Sequence, residues 1–127
     1  MAKLFLLCAA INGFLAVTLG AFAAHTLKAR LTPELLNTFQ TGVQYHMYHA
    51  LALLGTGMLL LQFPTSTALR NSGIAFLIGI LLFSGSLYLL SLSGIRWLGA
   101  ITPLGGVAFL LGWGLLAWGI YQTSIGA

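Results

Sequence analysis

The chain has 127 residues, of which 59% are hydrophobic and only 5% charged, with a net charge of +4. A soluble domain carries about 25% charged residues; this composition excludes an ordinary water-soluble fold, which would leave broad apolar patches in water. The cations Lys3, Lys28, Arg30, Arg70 and Arg96 are scattered at the ends of apolar runs, the pattern of anchors beside lipid headgroups and not of a nucleic-acid surface.

A hydrocarbon core ~30 Å thick is crossed by ~20 helical residues. The first run that qualifies covers about 4–24. Lys3, the apolar stretch and Ala21-Phe22-Ala23 imitate a secretory signal with its cleavage site, but the stretch is long for a signal and reads as a retained membrane helix. Cys8 lies inside it with no second cysteine to pair with, and is expected to act as a small hydrophobe. His25 closes the run.

Thr32-Pro33-Glu34 is a helix-start signature: threonine caps, proline fits the first turn, and glutamate favours the positive end of the helix dipole. A helix is therefore expected from Pro33, running into a second crossing at about 42–63. Pro64 and small polar residues then mark a turn before a third crossing at about 71–91. Ser93 and Gly94 mark another turn before a fourth at about 98–121. Pro103, followed by Gly105-Gly106, is expected either to kink this last helix or to mark a late start capped by Thr102. Continuous apolar runs argue against strands, and short links make successive helices antiparallel neighbours. The fold class is thus an all-α integral membrane protein, with four transmembrane helices in an up-down antiparallel bundle forming one domain over 1–127.

Small residues recur every seven positions: Gly13 and Gly20; Ser72, Gly79, Ser86 and Ser93; Gly105, Gly112 and Gly119. Such a period keeps one seam facing a partner helix, and small side chains let backbones approach closely in lipid. The same glycine-rich faces suit a homo-oligomer. Orientation is nearly undecided by charge, with Lys3 and Arg70 on one side and Lys28, Arg30 and Arg96 on the other. Arg96-Trp97 and Trp118/Tyr121 read as interfacial anchors at opposite faces.

The residues that offer chemistry are few. His25, Glu34, Tyr45, His46 and His49 fall towards one membrane face if the first two crossings are antiparallel. In the structural reading His49 hydrogen-bonds a partner helix, on a seam with Thr38, Gly42, Tyr45, Ala52 and Thr56, while His25 and His46 sit among headgroups. In a second reading His25, His46 and His49, with Glu34, ligate zinc, copper or iron. In a third they form a proton or ligand gate. Ser84, Ser86, Tyr88 and Thr102 place hydroxyls inside the membrane; they either pack dry on a helix seam or, with His49, line a conduit. There is no Ser/His/Asp arrangement, no phosphate loop, and only one acid, Glu34. Catalysis is therefore not expected, nor a cofactor, and the partners expected are membrane lipids and a second copy of the chain.

Four ordered motifs carry a resemblance: "GAFAAHTLKARL" (Gly20 to Leu31), "YHMYHALALLG" (Tyr45 to Gly55), "LLFSGSLYLL" (Leu81 to Leu90) and "GAITPLGGVAFLLGW" (Gly99 to Trp113). The chain resembles the family of small membrane proteins known as domain of unknown function 423, to which eukaryotic transmembrane protein 256 is related. One departure is Ala23, where that family usually has glycine. The resemblance implies a four-helix protein of the bacterial cell membrane and no established activity. The expected function is a structural or interaction component of that membrane; a small transporter or channel is the alternative, and a histidine-based metal-binding protein the third.

Overall fold

The computed structural model describes residues 1–126, and all regular structure among them is helical. Helix α1 (Ala2–His25) leads through a 3-10 turn (Leu27–Ala29) into α2 (Pro33–Gln62). Then follow α3 (Thr67–Gly79), a π-helical turn (Ile80–Ser84) and α4 (Gly85–Ser93), and after a second 3-10 turn (Arg96–Ala100) comes α5 (Thr102–Gln122).

The boundaries have local causes. The Leu35 N–H donates to the Thr32 hydroxyl at 3.2 Å, with Pro33 in the first turn of α2 and Glu34 beside it. The Leu69 N–H donates to Ser66 in the same way at the start of α3. Helix α4 stops at Gly94, whose φ of 74° lies in the left-handed region that an L side chain disfavours. Helix α5 starts late, directly after the second 3-10 turn, and Pro103 sits in its first turn, where a missing N–H costs nothing. Thr102 does not cap it: its hydroxyl meets Ser86 instead.

Helix α3, the π-turn and α4 form one rod of 27 residues, Thr67–Ser93. The Gly85 N–H reaches back to the Ile80 carbonyl, the five-residue step of a π-helix. Two further helical rods, Ala2–Ala29 and Arg96–Gln122, share with it the length and apolarity needed to cross a bilayer. Helix α2 is longer, at 30 residues, but is not among these three. Asn37, Gln40, Gln44, His46 and His49 make it more polar than the others. Ten of its residues are buried, against four each on α1 and α5, and His46 and His49 are among them, while Asn37, Gln40 and Gln44 are exposed.

Packing contacts fix the directions. Leu6 lies against Gly57 and Val43 against Gly20, so α1 and α2 run antiparallel. Tyr88 lies over Gly42, and Phe5 over Gly73. Between the α3 rod and α5, Leu69 meets Gly119, Phe76 meets Gly112, Phe109 meets Gly79 and the Phe83 backbone meets Gly105. This pair is antiparallel too. Three apolar clusters fill the interior, centred on Phe5, Leu53 and Leu69; on Phe76, Ile80 and Phe109; and on Ala23, Leu27 and Phe39. The Ala23 methyl is buried in the last of these.

Gly79, Gly105, Gly112 and Gly119 therefore lie where another helix touches them; a Cβ on Gly112 would come within 2.6 Å of the Phe76 ring. Gly20 is looser, 3.2 Å from Val43. Gly13 differs: a Cβ there would have nothing within 4 Å. The inner face of α1 carries Phe5, Ala9, Ala16 and Ala23 instead, so its heptad seam runs through alanines. Adjacent glycines on α5 make the test. Gly105→Ala drives a methyl into the Phe83 backbone, which cannot rotate away, and is expected to destabilise the fold by roughly 1–3 kcal/mol. Gly106→Ala meets nothing and is expected to leave stability unchanged or slightly raised. Denaturation in mixed micelles, followed by circular dichroism, measures both.

Candidate functional site

Helix α2 carries two buried histidines that face different neighbours. One turn of helix separates His46 from His49, and the two rings diverge by roughly 60° about the axis. His46 points between α1 and α4. Its Nε2 lies 2.8 Å from Asn12 Oδ1 and its Nδ1 2.9 Å from the Tyr88 hydroxyl. The Asn12 amide nitrogen donates to the Cys8 carbonyl at 2.8 Å, which leaves its oxygen to accept. The His46 proton is therefore on Nε2, and Nδ1 accepts from the Tyr88 O–H.

His49 points towards α5. Its Nδ1 is 2.7 Å from the Tyr45 carbonyl and its Nε2 3.1 Å from the Trp113 indole nitrogen. An indole N–H can only donate, so Nε2 accepts and Nδ1 carries the proton. The two imidazoles hold opposite tautomers, each fixed by its partners. The His49 ring also stacks on Phe109, with centroids 3.4 Å apart and planes 7° apart.

The hydroxyls form a second set of bonds. Ser84 donates to the Gly42 carbonyl at 2.7 Å and ties the π-turn to α2. Ser86 donates to the Phe83 carbonyl at 2.9 Å, so at 2.6 Å it must accept from Thr102. Ser72 donates to the Gly112 carbonyl at 2.7 Å, linking α3 to α5. Among the described residues, no buried side-chain nitrogen or oxygen lacks a partner.

The residues singled out in the sequence thus fall into two groups. His46, His49, Ser84, Ser86, Tyr88 and Thr102 are buried or half-buried and bond between helices in separate pairs: His46 to Tyr88, His49 to Trp113, Ser84 to the Gly42 carbonyl and Ser86 to Thr102. His25 and Glu34 are exposed, and Tyr45 is a partly exposed ring packed against Phe83 and Tyr48. His46 is buried within the protein, where Asn12 and Tyr88 supply the bonds that water would have supplied. No group of three metal-ligating side chains forms among the described residues. His25, His46 and His49 do not converge, and the lone pairs of the two buried rings are already taken by Tyr88 and Trp113. Asn12 and Trp113 complete both histidine sites, and the sequence reading had not singled them out for this. The signal for Asn12 was a carboxamide inside an apolar run, which is costly in lipid unless it is paired.

Comparison with known proteins now adds the family. The family described as "Protein of unknown function (DUF423)" matches residues 19–106. The chain belongs to this family. A membrane protein of Bacillus subtilis, UPF0382 membrane protein YwdK, is 50% identical over 87% of this chain and 90% of its own length. The UPF0382 inner membrane protein YgdD of Escherichia coli is 42% identical over 96% of this chain and 92% of its own. A UPF0382 membrane protein of Haemophilus influenzae is 42% identical over 98% of both. No solved structure matches. With its apolar helical spans, the chain is a DUF423 membrane protein of a family whose function is unknown. The matched segment contains both histidines, Ser84, Tyr88 and Thr102, whereas Asn12 and Trp113 lie outside it.

If the Asn12–His46 bond joins α1 to α2, the double-mutant cycle Asn12→Ala/His46→Ala gives a coupling energy. About 0.6 kcal/mol is expected, with a ceiling of about 1.7, the range for polar bonds between membrane helices. Mixed-micelle denaturation of the four proteins measures it, and a coupling near zero removes the bond from the account.

Proposed function

We propose that this chain is a four-crossing protein of the bacterial inner membrane that acts by association with other membrane components and catalyses no reaction. Helix α2 is taken as the remaining crossing. Its 30 residues reach ~45 Å at the helical rise, more than a hydrocarbon core. Its buried polar groups face protein, which removes most of the cost of placing them in lipid. Two connections are short, and successive long helices are antiparallel in their contacts, which suits an up-down bundle. The inner-membrane location is carried over from the printed name of the Escherichia coli relative.

The observation that carries the reading is the pairing of the interior hydroxyls and imidazoles with protein groups. A conduit needs such groups turned towards water. Here Ser84, Ser86, Tyr88 and Thr102 bond to the main chain, to each other or to His46. The partners proposed are membrane lipids and further membrane helices, including a second copy of the chain, and not nucleic acid. Gly13, Gly106 and Gly114 have free space where a Cβ would be, so a neighbouring helix can come close to them.

Reconstitution tests this reading. Proteoliposomes are expected to leak protons and small ions no faster than empty vesicles. In a Cys8→Ala background, Ser84→Cys is expected to stay unmodified by a membrane-impermeant thiol reagent. Protein-dependent flux that falls in Ser84→Ala or Thr102→Ala, together with rapid labelling of Ser84→Cys, would replace this reading by a conduit.

A further inference from the structure

The surface between the C-terminal halves of α2 and α5 is hollow. A polar cup of about 450 Å³ lies at its outer end, beneath the loop joining α2 to α3. Gln62, Thr65 and Gln122 are exposed there and present amide and hydroxyl groups to it. At Gln62 the cup meets an apolar groove of about 640 Å³ that runs along the same two helices. Gly55, Met58, Leu59, Leu116 and Ile120 wall the groove, and Trp113 lines it at the residue farthest from the cup on α5. Gly55 makes room: a Cβ there would have nothing within 4 Å.

We propose that this cup and groove bind one anionic phospholipid of the surrounding bilayer, headgroup in the cup and one acyl chain in the groove. The first argument is length. From Gln122 at the cup back to Trp113 is nine steps of helix, ~14 Å, about half of a ~30 Å hydrocarbon core. An acyl chain anchored at the cup therefore ends near Trp113. The second argument is polarity: one end of the cavity hydrogen-bonds and the other is apolar, as an amphiphile requires.

The third argument is charge. Pro64 divides the cup from a neighbouring pocket that Lys3 and Arg70 line. The chain's single acid, Glu34, lies at the start of α2, where it shares a surface pocket with Arg96. That is 28 residues, ~42 Å of helix, from Gln62. Among the described residues the side-chain charges beside the cup are thus the two cations, with no carboxylate side chain next to them. Basic pockets between membrane helices are a recurring form of anionic headgroup recognition.

Trp113 gives the measurement. A Trp97→Phe/Trp118→Phe reference protein keeps Trp113 as its only tryptophan. It is placed in vesicles doped with phosphatidylglycerol or phosphatidylcholine, each brominated on the acyl chain, which quenches nearby tryptophan. Phosphatidylglycerol is expected to quench at a lower mole fraction than phosphatidylcholine. Lys3→Gln/Arg70→Gln is expected to erase that preference, roughly fivefold for each cation removed. Gly55→Phe fills the groove and is expected to weaken quenching by both lipids. Circular dichroism melts confirm that each variant is folded. Equal quenching of the reference protein by both lipids would mean annular lipid only and would overturn the proposal. So would quenching in folded Gly55→Phe that matches the reference.

Discussion

Helices in a bilayer gain little by leaving lipid for one another, since both surroundings are equally apolar. Cohesion has to come from contact itself, and here the contact is an aromatic ring or backbone pressed on a residue with no side chain. Phe76 on Gly112, Phe109 on Gly79, Phe5 on Gly73 and Phe83 on Gly105 join rods that would otherwise slide. Each depends on interatomic distances at which one added methyl is too much. The polar bonds of the interior depend on this closeness in turn. Ser72 reaches the Gly112 carbonyl and Ser84 the Gly42 carbonyl because both acceptors belong to glycines that bring the backbones together.

Helix α2 organises the rest. It touches α1 on one side and the α3 rod on another, and it reaches α5 through the His49 ring. Its two imidazoles divide the work. His46 joins α1 to α4 through Asn12 and Tyr88, and His49 joins α2 to α5 through Trp113 and Phe109. An imidazole suits a crowded junction because it donates and accepts along different directions within one flat ring. The two bonds on each ring leave it no spare lone pair, so these histidines act as cross-links between helices.

Much of this was legible in the chain, for reasons that differ by element. The membrane class follows from composition, and the start of α2 from its hydroxyl cap, both local properties. The glycine seam on α5 could be read because a period of seven maps onto one helix face. A period gives a face but does not name the neighbour. Gly13 lies on such a period and touches nothing, while Ala9, Ala16 and Ala23 hold the inner face of α1. The same gap hid the histidines: their spacing was plain, but which helix each ring meets depends on tertiary packing, as do Asn12 and Trp113. The π-turn at Ile80–Ser84 left no mark in the residue pattern. Four apolar runs suggested four crossings, whereas only three rods, α2 not among them, have the length and apolarity to span a bilayer.

For the four-crossing bundle proposed above, the polarity of α2 has a consequence for how the chain is made. A ribosome delivers α1 first, then α2, and only later the segments carrying Tyr88 and Trp113. When α2 leaves the translocation channel, Asn12 is the one side chain already present that can bond to either of its buried rings. His49 keeps its bond to the Tyr45 carbonyl within its own helix, but its Nε2 has to wait for α5. Nascent α2 is therefore least at home in lipid during the interval before the last helix appears. The hairpin of α1 and α2 is the smallest unit that can enter the bilayer with part of its polarity already matched, and the final helix completes the junction.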